Sequence, residues 1–226
     1  NQKNHLAALG LAVSKISHDL RNMLASAQLL SDRLSMVKEA SVQSFAPKLI
    51  ASLDRAINLC NDTLHYGRAA EAEPRRTVFR LADLVEEVGD GLGMPREDIA
   101  YRIEIDAALS IDADRDQLYR VLNNLVRNAV QAIEQLPAPG SNEVAIMARR
   151  DGLLIVCEVR DTGPGIPEKA RASLFRAFQG TRKGGTGLGL AIAAELMAAH
   201  GGRLELVPSH AGAVFRLVVP DRTPEL

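Results

Sequence analysis

The sequence predicts an α plus α/β fold class, with an N-terminal helical hairpin followed by an α/β domain. Apolar residues recur in steps of three and four over residues 6–66, the spacing of packed helices. Beyond residue 77, short alternating apolar runs typical of strands are separated by helical patterns. We therefore divide the 226 residues into a hairpin at 1–70, a linker at 71–76 and an α/β domain at 77–226.

The composition is that of an ordinary globular protein with enough apolar residues to build a core. Hydrophobic residues make up 46% of the chain and charged residues 24%. The net charge of −1 argues against a general nucleic-acid or anionic membrane surface. No apolar run is long enough to span a bilayer. We interpret the two cysteines, Cys60 and Cys157, as buried thiols.

The first helix of the hairpin carries a heptad seam, and a second helix at about 42–66 carries a broader apolar stripe. Pro47 is compatible with this second helix because it falls in the first turn. Two helices cannot bury that much apolar surface alone, so we expect a homodimer whose two hairpins form a four-helix bundle. The seam consists of Leu6, Leu9, Val13, Ile16, Leu20, Met23, Ala27, Leu30, Leu34 and Val37.

His18 occupies the heptad position that points furthest from this seam, so we expect it to face water. Asp19 follows directly, where it can orient one ring nitrogen and accept its proton while the other attacks phosphorus. Asn22 lies one turn further on the same face and can hold a water or a phosphoryl oxygen. The three residues are candidate catalytic groups.

The α/β domain is predicted from alternating strand and helix patterns. A short strand at 78–81 leads into a helix at 82–88, and a long helix at 115–136 stops before Pro137 and Pro139. A last helix at 188–200 ends on Gly201 and Gly202 as a left-handed cap. We expect a mixed sheet with helices on one face. The remaining predicted strands are 101–105, 144–149, 153–159, 203–207 and 214–219.

Two amides lie four residues apart on the long helix, away from its apolar stripe. An amide oxygen is a suitable ligand for Mg²⁺, which takes few protein oxygens and completes its octahedron with phosphate and water. Asn128 fits that role, with Asn124 beside it. Arg127 and Gln131 flank this face and can hold phosphate or sugar. The predicted buried stripe is Leu118, Val121, Leu122, Leu125, Ala129 and Ala132.

Asp161 ends an apolar strand and opens the run Asp161-Thr162-Gly163-Pro164-Gly165. A carboxylate there can accept the exocyclic amino proton of adenine, which guanine does not offer at that position. Gly163 and Gly165 permit backbone conformations and close approaches that side chains would block. This cluster predicts a nucleotide pocket.

A second glycine cluster precedes the last helix, where successive backbone N–H groups can bind phosphate. Phe175 and Phe178 are interpreted as core-anchored hinges of a lid between the two clusters. Arg182 and Lys183 lie in that lid, where they can meet the terminal phosphates. The cluster contains Gly185, Thr186, Gly187, Leu188 and Gly189.

Over essentially the whole chain, these motifs resemble the core of a sensor histidine kinase of two-component signalling. The run His18 to Asn22 resembles the phosphoacceptor box, and the run Asn124 to Ala129 the N box. The run Asp161 to Gly165 resembles the first glycine box, Phe175 to Phe178 the F box, and Gly185 to Gly189 the second glycine box. The resemblance implies a phosphotransfer hairpin joined to a Bergerat-type ATP-binding domain.

The same resemblance implies roles for individual residues and for partners. His18 is implied as phosphoacceptor, Asp19 as acid/base partner and Asn22 in dephosphorylation of the partner response regulator. Asn128 is implied as the Mg²⁺ ligand and Asp161 as the adenine reader. The implied partner is a response regulator receiver domain or a phosphotransfer protein. We expect a cytoplasmic core, with any sensor or membrane anchor in a preceding part of a longer protein.

Three functions remain open at this point. The first is an ATP-dependent kinase that phosphorylates His18 and passes the group to an aspartate of a receiver. The second is a phosphatase-biased or phosphotransfer scaffold protein with weak kinase activity, against which the intact glycine clusters argue. The third is a gyrase-type ATPase, for which Asn124 occupies the position of the base that would activate water. Met23 stands where the family commonly has proline, and Gln131 where it often has a basic residue.

Overall fold

A computed structural model describes the α/β part of the chain almost completely. The described residues are 73–136, 140, 142–176 and 188–222, together with positions 27, 42, 49, 50 and 53, which are helical. The chain divides into two compact units, one of Asn1–Glu71 with Ala177–Gly189 and one of Ala72–Arg176 with Leu190–Leu226. The predicted dimeric hairpin therefore lies outside the described residues, apart from those five helical positions.

Within the described ranges the second unit contains seven strands and four helices. The strands are β1 Thr77–Arg80, β2 Ile99–Ile105, β3 Ser110–Ala113, β4 Asn142–Asp151, β5 Leu154–Asp161, β6 Arg203–Val207 and β7 Val214–Pro220. The helices are α1 Leu81–Gly91, α2 Arg115–Ile133, α3 Glu168–Arg171 and α4 Gly189–Ala199.

The strands form a five-stranded mixed sheet and a separate two-stranded sheet. The larger sheet has the order β2-β4-β5-β7-β6, in which only the β2–β4 pair is parallel. This confirms the predicted mixed sheet. The smaller sheet is an antiparallel pair of β1 and β3. Strand β3 and the four-residue helix α3 were not predicted, because β3 depends on its pairing with β1 and α3 is only about one turn long.

The central strand β5 has an apolar face that is part of the core. Ile155, Cys157 and Val159 alternate along it with exposures of 1%, 5% and 1%. Burial raises the pKa of the Cys157 thiol to about 12, helped by the charge of Glu158. The prediction of a buried thiol is confirmed for Cys157, while Cys60 lies outside the described residues.

Helix α2 begins as predicted and ends earlier than predicted. The side chain of its N-cap residue Asp114 accepts a hydrogen bond from the Gln117 N–H, which satisfies one of the helix's first amides. The predicted end at Leu136 is wrong: the helix stops at Ile133, and the Leu136 N–H bonds the Ile133 carbonyl in a tighter turn. The predicted buried stripe of six residues is confirmed.

Helix α4 ends on the predicted left-handed glycine. Gly201 has φ +73°, and the Gly202 N–H bonds the Met197 carbonyl across the helix end. This closure fixes the turn from α4 into β6, whose bounds match the prediction. In the part of the chain that the structure describes, we find no helix with both the length and the apolar character needed to cross a bilayer.

Candidate nucleotide site

Helix α2 presents its two amides away from the buried stripe. Asn124 and Asn128 are half-buried, whereas the residue that follows each of them, Leu125 and Ala129, is buried at 0% and 3% exposure. Arg127 Nη2 donates to Asn124 Oδ1 over 3.0 Å, so the two residues expected to hold nucleotide are bonded to each other. The predicted polar face of α2 is thereby confirmed.

Asp161, the last residue of β5, has a carboxylate fixed by backbone donors. Its Oδ1 accepts hydrogen bonds from the Gly163 N–H at 2.8 Å and the Ala213 N–H at 3.2 Å. The residue is 8% exposed. These two hydrogen bonds therefore replace the hydrogen bonds to water that the carboxylate loses on burial. Since both donors belong to the main chain, the acceptor is held in one orientation.

The two glycines of the first cluster lie where a side chain has no room. A Cβ on Gly163 would come within 3.0 Å of the Ala132 Cβ and 2.8 Å of Asp161 Oδ1. Gly165 has φ +75°, and its Cβ would lie 2.9 Å from the Gly212 carbonyl oxygen. Because Gly163 has no side chain, the first glycine cluster can pack against α2. The predicted need for glycine is confirmed at both positions.

Gly212 lies against Asp161 and was not singled out from the sequence. It has φ +64°, and a Cβ there would come within 1.7 Å of the Asp161 carbonyl oxygen. The next residue, Ala213, pairs its N–H and carbonyl with Asp161. Gly212 therefore lets the loop before β7 approach the end of β5. Nothing in the local pattern separates it from an ordinary turn glycine.

Phe175 connects the region after α3 to the sheet. Its ring meets the Phe215 ring edge-on at a centroid distance of 6.5 Å and an angle of 79°. Phe175 is only half-buried, so its predicted anchoring in the core is partial, and Phe178 lies outside the described residues. Beside Phe175 is a cavity of about 300 Å³ lined by Ile166, Arg171, Phe175, Leu206, Val207, Pro208, Ser209, Gly212 and Ala213.

The second glycine cluster is described only at its end. Leu188 is fully buried, and Gly189 is the first residue of α4, so a helix begins after the cluster as predicted. The other members lie outside the described residues, as do the lid cations and the phosphoacceptor group. These residues are Gly185, Thr186, Gly187, Arg182, Lys183, His18, Asp19 and Asn22.

Comparisons with known proteins give the family. Residues 113–223 match the histidine kinase-, DNA gyrase B-, and HSP90-like ATPase family. The sensory histidine kinase/phosphatase NtrB of Klebsiella oxytoca is 30% identical and aligns with 93% of this chain. Full-length ShkA in complex with AMPPNP is 32% identical, with a TM-score of 0.75, over 95% of this chain and 46% of ShkA. A nucleotide-free catalytic domain of histidine kinase ThkA is 30% identical, with a TM-score of 0.57, over 65% of this chain and 98% of that domain.

The chain belongs to the sensor histidine kinases. The α/β part of this histidine kinase core is an ATP-binding domain with the sandwich fold of the matched ATPases. The chain spans 62% of NtrB, and 28% of the nitrogen regulation protein NtrY of Azorhizobium caulinodans.

The described part of this histidine kinase core offers few ligands for a metal ion. No group of three His, Cys, Asp or Glu side chains within the described ranges is arranged to hold one. The half-buried amide of Asn128 is a single hard-oxygen donor. Such a donor fits Mg²⁺ that arrives with a nucleotide, because phosphate oxygens and water fill most of its coordination shell.

Proposed function

We propose that this chain transfers the γ-phosphoryl group of ATP to His18, and from there to an aspartate of a response regulator. The observation that carries the proposal is the Asp161 carboxylate, held by the N–H groups of Gly163 and Ala213 where the first glycine cluster meets α2. The same helix carries Asn124 and Asn128. These relations support the inference that a fixed acceptor for a base and amide ligands for phosphate-bound metal serve one site.

Asp161 selects adenine by its hydrogen-bonding character. A carboxylate only accepts hydrogen bonds at neutral pH, and the exocyclic amino group of adenine donates one. Guanine has a carbonyl oxygen at the equivalent position, so its approach would place two acceptors together. A site built around a fixed polar group discriminates strongly against a ligand that cannot pair with it. We therefore expect ATP to bind much more tightly than GTP.

Residues of α2 and of the second glycine cluster are the proposed phosphate ligands. Asn128 is the proposed ligand of Mg²⁺, which neutralises phosphate charge when it is bound. Asn124 and Arg127 flank it on the same helix and orient the phosphates or sugar. Gly185, Thr186, Gly187, Leu188 and Gly189 supply N–H donors, and Arg182 and Lys183 supply positive charge.

His18 is the proposed acceptor of the phosphoryl group. One imidazole nitrogen forms a bond to the γ-phosphorus as the bond between that phosphorus and the β,γ-bridging oxygen breaks, and ADP leaves. Asp19 accepts the proton from the other ring nitrogen, which keeps electron density on the attacking atom. Most of the acceleration in such a transfer comes from positioning and charge neutralisation.

The N-terminal hairpin is the proposed dimerisation and phosphotransfer part. Its apolar stripes exceed what one hairpin can bury, so two chains would form a four-helix bundle. Asn22 is the proposed residue for holding a water that dephosphorylates the response regulator. The relative NtrB is named a histidine kinase/phosphatase, which supports including that second activity. We propose that this core acts in the cytoplasm.

The test follows the fate of γ-labelled phosphate in the purified chain with Mg²⁺. A kinase accumulates label on the protein, up to about one phosphoryl per acceptor, with little free phosphate. A gyrase-type ATPase instead releases phosphate with no protein-bound label. We expect slow hydrolysis, because an amide such as that of Asn124 cannot take a proton from water. Rapid phosphate release without protein-bound label would contradict the proposal.

A further inference from the structure

The segment that precedes β1 is bonded to the distant end of α4 through Arg76. Its Nη2 donates to the His200 carbonyl oxygen over 2.7 Å, and its Nη1 donates to the Asp112 carbonyl oxygen over 2.9 Å. His200 directly follows α4, and Asp112 lies in β3. A guanidinium beside the C-terminal carbonyls of a helix also interacts favourably with the helix dipole. One half-buried side chain therefore joins the incoming segment, β3 and α4.

Asp114 joins the start of α2 to the same place. Its backbone N–H donates to His200 Nε2 at 3.0 Å, and its Oδ2 accepts from the Arg75 N–H at 2.8 Å. Its Oδ1 caps α2 through the Gln117 N–H. We call the four residues Arg75, Arg76, Asp114 and His200 the linker clamp. Within the clamp, the incoming segment, the first turn of α2 and the end of α4 are hydrogen-bonded together.

The two helices that meet at the linker clamp also carry the nucleotide residues. At a rise of 1.5 Å per residue, Asn124 lies about 15 Å along α2 from Asp114. Gly189, at the other end of α4, lies about 16 Å from His200. Each helix therefore acts as a rigid rod with one end in the clamp. A small change of angle at the clamp displaces the far ends by a larger distance.

We propose that Arg76 is a positioning residue for the nucleotide site. Its two hydrogen bonds join the His200 carbonyl, at the end of α4, to the Asp112 carbonyl in β3, two residues before the N-cap of α2. Through β3 they hold α2 and α4 at the relative position that nucleotide binding requires. Nucleotide affinity then depends on how the segment entering this domain is held, although Arg76 itself does not touch the nucleotide. The inference rests on the proposed ATP site.

The test compares nucleotide affinity with folding in Arg76→Ala of the full chain. The dissociation constant of a fluorescent ATP analogue is measured with Mg²⁺ at a temperature where circular dichroism shows each protein fully folded. A purely structural role would lower the melting temperature and leave this constant unchanged. A positioning role raises the dissociation constant by about fivefold, which is within the range measured for mutations of residues that touch no ligand.

Two matched variants sharpen the test. Arg75→Ala keeps the backbone N–H that bonds Asp114 and loses only an exposed side chain, so its affinity should equal that of the wild type. Arg76→Lys keeps the charge but lacks the planar fork that reaches two carbonyls, so it should recover less than half of the lost affinity. Unchanged affinity in Arg76→Ala, or full recovery in Arg76→Lys, would overturn the inference.

The two proposals fail in different ways. If the wild-type chain binds the analogue but never labels itself from ATP, the kinase proposal fails while the effect of Arg76→Ala on affinity still decides the inference. If the chain labels itself and Arg76→Ala binds normally, the inference fails and the kinase proposal stands.

Discussion

The backbone N–H of Asp114 donates a hydrogen bond to Nε2 of His200 over 3.0 Å. Nδ1 of the same ring lies 2.8 Å from the Leu196 carbonyl oxygen, a group that can only accept. These two partners assign the proton to Nδ1 and leave Nε2 as the acceptor. The folded protein therefore holds His200 in the neutral form, because a proton on Nε2 would face the Asp114 N–H.

We expect stability to fall in mild acid because of His200. Burial lowers its pKa most, and the charge of Arg76 lowers it further, while the Leu196 carbonyl and the charges of Asp114 and Asp112 act in the opposite direction. The net pKa is lower in the folded than in the unfolded chain. The contribution to stability is therefore full above the unfolded pKa of about 6.5 and is lost as the pH falls through that value towards the folded pKa.

Calorimetry of the wild type and His200→Gln between pH 8 and pH 5.5 tests this dependence. The difference between their melting temperatures should shrink as the pH falls, because only the wild type has an imidazole at position 200 to protonate. His210→Gln, which changes an exposed histidine, serves as the matched control and should follow the wild type. A difference that stays constant across this range would contradict the assignment.

Gly212→Ala should damage both folding and nucleotide binding. The added methyl would come within 1.7 Å of the Asp161 carbonyl oxygen, which is main chain and cannot move aside cheaply. We expect the free energy of unfolding to drop by about 3 kcal/mol or more. Gly152→Ala is the control, since Gly152 has a similar φ of +59° with no atom within 4 Å. It should cost only about 1 kcal/mol of backbone strain. Equal losses in urea unfolding would argue against the close approach.

Asp161→Asn should remove nucleotide recognition while leaving the fold in place. The amide oxygen can still accept from the Gly163 and Ala213 N–H groups, but the side chain loses its charge and gains an NH₂ donor. We expect the dissociation constant for ATP to rise by at least about tenfold, the value of one charged hydrogen bond. Isothermal titration with ATP and GTP measures this. Retained preference for ATP in the variant would show that another group reads the base.

Glu158 should stabilise the sheet more than an exposed glutamate does. Its side chain is 5% exposed and pairs with Arg160 at 2.6 Å and Arg216 at 2.7 Å. Burial raises its pKa, but the hydrogen bonds and charges of the two arginines more than offset this, so the net pKa is lowered. We expect Glu158→Ala to cost about 2 kcal/mol, less than for a fully buried pair because Arg160 is half exposed.

The matched control for Glu158 is Glu104→Ala. Glu104 pairs with Arg102 at 3.0 Å, but both side chains are about half exposed. Exposed ion pairs contribute little to stability, so the free energy of unfolding of this variant should lie within about 0.5 kcal/mol of the wild-type value. Urea unfolding at pH 7 compares the two losses. If the two variants lose the same free energy of unfolding, burial does not determine how much an ion pair contributes to stability.

Much of the α/β domain could be predicted because its elements have clear periods. The strand at 203–207 was predicted with its observed bounds, and α2 with its observed start and its apolar stripe. The end of α2 was placed three residues too late, because the pattern continues to the prolines while the main chain already turns at Ile133. Strand β3 depends on pairing with β1, which no local period reveals.

Candidate site residues could be predicted where the chemistry of the side chain indicates a specific role. They could not be predicted where the role depends on contact between segments that are far apart in the sequence. Asp161, Asn128 and the glycines were singled out because carboxylates, amides and missing side chains point to specific tasks. Gly212 and Arg76 were missed because their partners are far away in sequence. The Arg76 bond to His200 joins residues 124 positions apart. Such contacts leave no trace in the local sequence pattern.

The most direct test of the central claim is labelling with γ-labelled ATP and Mg²⁺ in the wild type, His18→Ala and Asn128→Ala. The wild type should acquire label that is lost in acid and stable in base, as expected for a phosphorus–nitrogen bond. Both variants should acquire at least about a hundredfold less label, because one lacks the proposed acceptor and the other the proposed metal ligand. Label that persists in His18→Ala would contradict the assignment of the acceptor and, with it, the proposed function.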